Sequence, residues 1–270
     1  MGMDGKLLLV GCGKMGGAML AGWRERGLKD ADLAVIEPAE AIRPDIPGAV
    51  VVGAVDAVPA SFRPDIVVLA VKPQSMDGAL PGLRRFVGPD TTFLSIAAGK
   101  TIGYFRKGLG EGAKIVRAMP NTPAAVRQGV TVCVAGPGVS APQRARCDAL
   151  LAAVGTVDWV EDEGLIDAVT AVSGSGPAYV FLLVEAMAAA GEKAGLPADL
   201  AMKLARGTVS GSGALLAGAS EPASQLRINV TSPGGTTAEA LGVLMAADAI
   251  QPLFDRAIAA ATRRSRELAG

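Results

Sequence analysis

The sequence predicts an α/β chain in two parts, a doubly wound sheet over residues 1–162 followed by an all-helical domain over residues 163–270. Three observations carry this. Short apolar runs of strand length alternate with helical patterns as far as Asp162. A strand, a glycine-rich turn and a helix open the chain. After Asp162 strand signals stop and helical periodicity continues. With 270 residues the chain is long enough to bury two cores.

Residues 6–10 form the first apolar run, which ends in Gly11-Cys12-Gly13-Lys14-Met15-Gly16. Ala18, Met19, Leu20 and Trp23 follow at roughly helical spacing. The three glycines match G-x-G-x-x-G in the strand-turn-helix context of a Rossmann-type dinucleotide site: one for the turn, one for close approach of a pyrophosphate, one for packing helix on strand. Gly11, Cys12, Gly13, Lys14, Met15 and Gly16 are therefore candidate cofactor residues, against the alternative of a glycine-rich turn in another α/β protein. Residues 33–36 are the second strand, and Glu37 ends it. An acid at that place accepts hydrogen bonds from the ribose hydroxyls of NADH and repels the 2′-phosphate of NADPH, so Glu37 leans towards NADH. The alternative is a solvated Glu37, with Arg43 or loop backbone reading the phosphate.

Further strands are expected at 50–52, 66–71, 92–96, 114–118, 130–135 and 156–160, with a helix over 143–154. Ligands of doubly wound sheets lie at the carboxyl ends of strands. Ala70, Val71, Lys72 and Pro73 after one strand, and Ala97, Ala98 and Gly99 after the next, are thus expected beside the nicotinamide half of the cofactor. Lys72 is either catalytic or a surface lysine. In Met119-Pro120-Asn121-Thr122-Pro123 two prolines fix a turn, and Asn121 either bonds local backbone or faces a ligand.

The helical part reads as helices over 163–172, 177–195, 198–216, 223–228, 236–246 and 250–268. Residues 179–190 are apolar on nearly every face, so this helix needs cover on all sides, from a second copy of the chain or from the first domain. A homodimer through these helices is the expectation. Ser173-Gly174-Ser175-Gly176-Pro177 opens that helix, with Pro177 near its first turn, and Ser175 either faces a ligand or serves close packing. Residues 230–239 read Val-Thr-Ser-Pro-Gly-Gly-Thr-Thr-Ala-Glu. Thr236 and Glu239 have the spacing of a capping box at a helix start. Free N–H groups, the helix dipole and two glycines there make a seat for a small carboxylate, ringed by Thr231, Ser232, Gly234, Gly235, Thr236 and Thr237, or else an ordinary capped loop.

Composition narrows the chemistry. The formal charge is zero, which points away from nucleic acid and anionic membranes. No uninterrupted apolar run long enough to span a bilayer is found, and Glu185 interrupts the most apolar stretch. The first residues lack the apolar run of a signal peptide, and three scattered cysteines suggest neither disulfides nor a zinc site, which predicts a cytoplasmic protein without a metal. There is no histidine. Catalysis must then use hydroxyls, carboxylates, lysines, backbone or a cofactor.

In order and spacing these motifs resemble the pyrroline-5-carboxylate reductases over nearly the whole chain. The resemblance rests on the glycine-rich turn, Ala70-Val71-Lys72-Pro73, Ala97-Ala98-Gly99, Met119-Pro120-Asn121-Thr122-Pro123, Ser173-Gly174-Ser175-Gly176-Pro177-Ala178-Tyr179 and Val230-Thr231-Ser232-Pro233-Gly234-Gly235-Thr236-Thr237. It implies a Rossmann domain, a helical domain that dimerises by interlocking with its mate, and often a decamer of five dimers. It implies reduction of the cyclic imine of 1-pyrroline-5-carboxylate by NADPH or NADH to L-proline, the last step of proline biosynthesis. Residues matching Ser232, Gly234, Gly235 and Thr237 hold the substrate carboxylate and ring nitrogen in that family. Thr237 and Ser232 are then the expected catalytic pair, with Thr231, Thr236, Asn121 and Ser175 around the substrate and Asn121 also near the cofactor. Two departures stand out: Glu37 where NADPH-preferring members carry Ser, Asn or Arg, and Val55-Asp56-Ala57 where many members place an Asn near the adenine. A β-hydroxyacid dehydrogenase or imine reductase is the rival enzyme, but the helix after Gly176 has no lysine before Lys193. A nucleotide-binding regulator without turnover is the rival of another class.

Overall fold

The computed structural model describes residues 5–269. Eight strands form one sheet: β1 (Leu7–Val10), β2 (Leu33–Ile36), β3 (Val50–Val52), β4 (Ile66–Leu69), β5 (Thr92–Ser95), β6 (Lys114–Met119), β7 (Gly129–Ala135) and β8 (Gly155–Val160). Their spatial order is β3-β2-β1-β4-β5-β6-β7-β8. The order reverses at β1, the topological switch point of a doubly wound sheet. Every pair is parallel except β6 and β7. The reason is local. Only a short 3-10 turn, Thr122–Val126, joins those two strands, too little chain for the crossover that a parallel neighbour requires.

On the sheet lie α1 (Lys14–Glu25), α2 (Met76–Leu83), α3 (Ile102–Leu109) and α4 (Ala141–Leu151), of which sequence periodicity identifies only the first and last. Both faces are covered, so the central strands are apolar without alternation. Leu7 and Leu9 of β1 join Trp23, Met19, Val35 and Val68 on one face. Leu8 and Val10 join Leu69, Phe93, Phe105 and Leu83 on the other. Trp23 is fully buried, and its indole N–H donates to the Leu150 carbonyl at 2.8 Å, locking α1 to α4. The capping box of this part belongs to α4, where Ser140 Oγ accepts from the Gln143 N–H and Gln143 Oε1 accepts from the Ser140 N–H.

After Val160 the described chain is helical: α5 (Leu165–Val169), a π-turn over Thr170–Gly174, α6 (Gly176–Lys193), α7 (Ala198–Gly218), α8 (Ala223–Asn229), α9 (Thr236–Leu244) and α10 (Ile250–Ala269). The helix expected over 163–172 is thus a single short helix that widens into a π-turn. Packing divides the chain into two compact units. One comprises the residues up to Gly174 together with those from Ala261 onward, and the other is Ser175–Ala260.

Within the second unit α6 and α7 pack on each other, yet only Ala188, Ala201 and Ala205 are buried there. Phe181, Leu182, Leu204 and Leu215 are about half exposed or more. The stretch Leu165–Lys193 is, by length and composition only, long and apolar enough to cross a membrane. It is not an uninterrupted apolar run, since Asp167, Glu185, Glu192 and Lys193 lie within it. The apolar surface of a monomer this uncovered needs a partner.

Candidate active site

Each unit, taken by itself, has a helix start with unused backbone donors. In the sheet unit, β1 ends at Gly11, which turns with φ +92° and lies so close to β4 that a Cβ there would sit 2.9 Å from the Ala70 carbonyl and from Val71 Cγ1. Only glycine accepts both conditions. Gly13 is the N-cap of α1, makes no side-chain cap and has nothing within 4 Å of a Cβ position. The N–H groups of Lys14, Met15 and Gly16 find no acceptor among the described residues. Gly16 is buried, its missing side chain leaving room for the Gly11 carbonyl and Ala70. The three glycines thus divide into turn, open approach and packing, as the motif requires for a pyrophosphate.

Glu37 is not solvated: it is 6% exposed. Its Oε2 accepts the Cys12 N–H at 2.7 Å and its Oε1 accepts the Ala39 N–H at 2.9 Å, so the carboxylate holds the glycine turn from the end of β2. Burial, and then the Glu37 charge, push the Cys12 thiol pKa up, which leaves it a neutral small side chain. Arg43 is committed to backbone: its Nε donates to the Glu37 carbonyl at 2.9 Å and its Nη2 to the Pro38 carbonyl at 3.2 Å. Ala70, Val71, Lys72 and Pro73 leave the carboxyl end of β4, and Ala97, Ala98 and Gly99 that of β5. Lys72 is exposed, and its ammonium has no partner among the described residues.

Asn121 is 8% exposed and its amide is fully engaged within the chain. Its Oδ1 accepts the Val130 N–H at 2.9 Å, and its Nδ2 donates to the carbonyl and hydroxyl of Ser173 at 3.3 and 3.2 Å. The structure therefore places Asn121 as a tie between the Met119-Pro120-Asn121 turn and the π-turn. Ser175 precedes α6 and makes no cap. Sequence reasoning missed Glu163, whose Oε1 accepts the Ile102 N–H and pairs with the buried Arg117, both at 2.8 Å.

In the helical unit, α9 starts one residue earlier than the capping-box spacing suggests. Gly234 turns with φ +67°, Gly235 becomes the N-cap, and Thr236 is already the first helical residue. No side chain caps the helix, so the expected Thr236–Glu239 box does not form: a box needs its Thr outside the helix, with extended backbone. The N–H groups of Gly234, Thr236, Thr237 and Ala238 find no acceptor among the described residues, while that of Gly235 donates to the Ser232 carbonyl at 3.1 Å. Ser232 and Thr236 are exposed and Thr237 is half-buried. Thr231 spends its proton on the Arg227 carbonyl at 2.6 Å. What remains among the described residues is an uncapped positive helix end under an open glycine, with the hydroxyls of Ser232, Thr236 and Thr237 free, which is chemistry for a carboxylate.

Residues 163–268 match the family described as pyrroline-5-carboxylate reductase dimerisation, and residues 6–99 match the family described as NADP oxidoreductase, coenzyme F420-dependent. A pyrroline-5-carboxylate reductase of Pseudomonas aeruginosa is 39% identical over 98% of this chain and 97% of its own. One of Mycobacterium tuberculosis is 39% identical over 97% of this chain and 96% of its own. Among solved structures, a pyrroline-5-carboxylate reductase of Coxiella burnetii superposes with TM-score 0.89 at 33% identity, covering 98% of this chain and 99% of that one. The pyrroline carboxylate reductase of Plasmodium falciparum, solved with NADP bound, superposes with TM-score 0.82 at 29% identity over 99% of each chain. With a glycine turn fit for a dinucleotide, a helix end fit for a carboxylate and relatives matched end to end, the chain belongs to the pyrroline-5-carboxylate reductase family.

Proposed function

We propose that the chain reduces the cyclic imine of 1-pyrroline-5-carboxylate to L-proline, with residues 1–162 holding the nicotinamide cofactor and residues 163–270 holding the substrate and the partner subunit. The observation that carries the substrate assignment is the uncapped start of α9, whose free amides and hydroxyls match a small carboxylate. The cofactor, when bound, supplies the hydride. Everything else is position. The amides of Gly234, Thr236 and Thr237 with the Ser232 hydroxyl fix the carboxylate, and Gly235 shapes the turn beneath it. Thr237 holds a hydrogen bond at the ring nitrogen, and Thr231 lines the rim. A protonated imine is already electrophilic, so a chain without histidine is sufficient for this reaction.

On the cofactor side, Gly11 to Gly16 and the start of α1 take the pyrophosphate. Residues 70–73 and 97–99 flank the nicotinamide half, and Lys72 offers an unpaired charge there. Glu37 favours NADH: two of its roughly four lone-pair sites hold the loop, which leaves two for the ribose hydroxyls and none of the charge a 2′-phosphate wants. The exposed faces of α6 and α7 form the dimer, five dimers assemble into a decamer, and the protein works in the cytoplasm.

The test is consumption of NADH and of NADPH, side by side, by the purified protein given racemic pyrroline-5-carboxylate. Turnover with the higher kcat/KM for NADH supports both parts of the reading. Preference for NADPH keeps the reaction and discards the Glu37 argument. Binding of either cofactor without turnover removes the reductase assignment in favour of a nucleotide-binding regulator.

A further inference from the structure

The loop over residues 96–101, between β5 and α3, is held at nearly every residue by its own neighbours. The Ala97 N–H donates to Ser95 Oγ at 3.2 Å, Thr101 caps α3 by accepting the Tyr104 N–H at 3.1 Å, and Glu163 takes the Ile102 N–H. The Lys100 ammonium lies 4.1 Å from the centre of the Tyr104 ring, whose hydroxyl bonds Asp77. Gly99 is the exception. It turns with φ +71° and is buried, and its cover comes from the far end of the chain: a Cβ there would stand 3.1 Å from both the Cβ and the carbonyl oxygen of Leu268.

That covering segment is not held by apolar burial. Arg266 and Glu267 are exposed, and Leu268 is 57% exposed. What pins it is polar. Ser265 is 5% exposed and donates to Asp167 Oδ1 at 2.6 Å, while Arg266 Nε stands 3.8 Å from Asp167 Oδ2. A directional bond of this kind fixes both the rotation and the height of a helix, which apolar contact does not. It sets the last turn of α10 at the one place where backbone meets backbone over Gly99.

We propose that the last turns of α10 belong to the cofactor site, with Ser265 and Asp167 as positioning residues that hold Leu268 on Gly99 and so set the loop at the carboxyl end of β5. This rests on the cofactor placement given above, since ligands of doubly wound sheets lie along the carboxyl ends of the strands. Neither residue touches the reacting atoms. They act by keeping the residue 97–99 backbone where the nicotinamide half is bound, and loosening it costs affinity for the cofactor rather than for the imine.

The experiment compares Ser265→Ala, Asp167→Ala, the double variant and Asp167→Asn in the full chain, with NADH binding followed by its fluorescence and with KM for NADH and for the imine. Ser265→Ala and Asp167→Ala are each expected to raise the NADH Kd and KM by roughly tenfold, with the imine KM unchanged. The double variant should be no worse than either single one, because the two residues act as a unit. Asp167→Asn, which keeps an acceptor for the Ser265 hydroxyl, should stay near wild type, and it carries the test if an alanine variant does not fold. NADH Kd and KM equal to wild type in the folded alanine variants would overturn the proposal, as would an Asp167→Asn as impaired as Asp167→Ala. Direct NADH binding needs no turnover, so a wild-type chain that binds NADH but does not consume it fails the reductase reading and leaves this one testable.

Discussion

Replacing Glu37 by Gln changes one atom of a buried group that holds the glycine turn and that the function proposed above sets against the ribose. The native carboxylate accepts from Cys12 N–H at 2.7 Å and from Ala39 N–H at 2.9 Å. A Gln carbonyl satisfies one of these donors, and its NH2 opposes the other. A lost charge-assisted hydrogen bond costs about 1.5–3 kcal/mol, which in a unit of this size lowers Tm by about 5 °C. Selectivity moves further. A negative charge about 5 Å from a 2′-phosphate repels it by about 3 kcal/mol per unit charge at an effective dielectric constant of about 20. The ratio of kcat/KM for NADPH to that for NADH should therefore rise by about a hundredfold or more in Glu37→Gln. Arg43 limits the gain, because its guanidinium is already bonded to the Glu37 and Pro38 carbonyls. Steady-state kinetics with both cofactors, with thermal unfolding in parallel, measures the two effects separately. An unchanged cofactor ratio in a folded variant of lowered Tm would show that Glu37 holds the loop and reads nothing.

Thr237→Ala should lower kcat/KM for the imine by about ten- to a hundredfold while the KM for the cofactor stays put, and unchanged kinetics would remove Thr237 from the reaction. Glu163→Ala strands the buried Arg117 and the Ile102 N–H together. It should cost about 3 kcal/mol in urea-induced unfolding, and a loss under 1 kcal/mol would mean that water reaches Arg117. Tyr104 should ionise late, at about 12, because burial and then its hydrogen bond to Asp77 favour the neutral phenol. Its folded pKa lies above the unfolded one, so the stability it lends is full below about pH 10 and fades as pH rises towards about 12. Ultraviolet titration of the wild type against Tyr104→Phe should assign a delayed step to Tyr104 that moves down in Asp77→Asn; a Tyr104 step near the ordinary tyrosine range would contradict the geometry.

Local signals determine much of this protein. The strands β1, β2, β3 and β4 are short apolar runs, and all eight strands lie within a residue or two of the bounds the sequence suggests. The glycine turn is legible because its three positions each answer a separate steric demand of one short loop. The two helices that sequence reasoning passes over, α2 and α3, are only eight residues long, and Gly and Pro interrupt their pattern. The reversal at β7 needed the length of one turn rather than the character of the strand.

What only the tertiary structure decided are the meetings of distant residues. Spacing places a capping box at Thr236, but the turn at Gly234 and Gly235 moves the helix start and leaves the amides bare. The sequence leaves Asn121 open between bonding local backbone and facing a ligand, and the fold spends its amide on Val130 and Ser173. Glu37 is polar enough to be solvated, and is instead buried against the loop it serves. Gly99 looks like a small residue making room for a cofactor, and the room it makes is filled in part by Leu268 from the other end of the chain. Periodicity encodes which face of an element is apolar. Which hydroxyl meets which carboxylate is settled only when chain segments far apart in sequence are brought together, because a hydrogen bond constrains distance and angle and leaves no repeating trace in either partner.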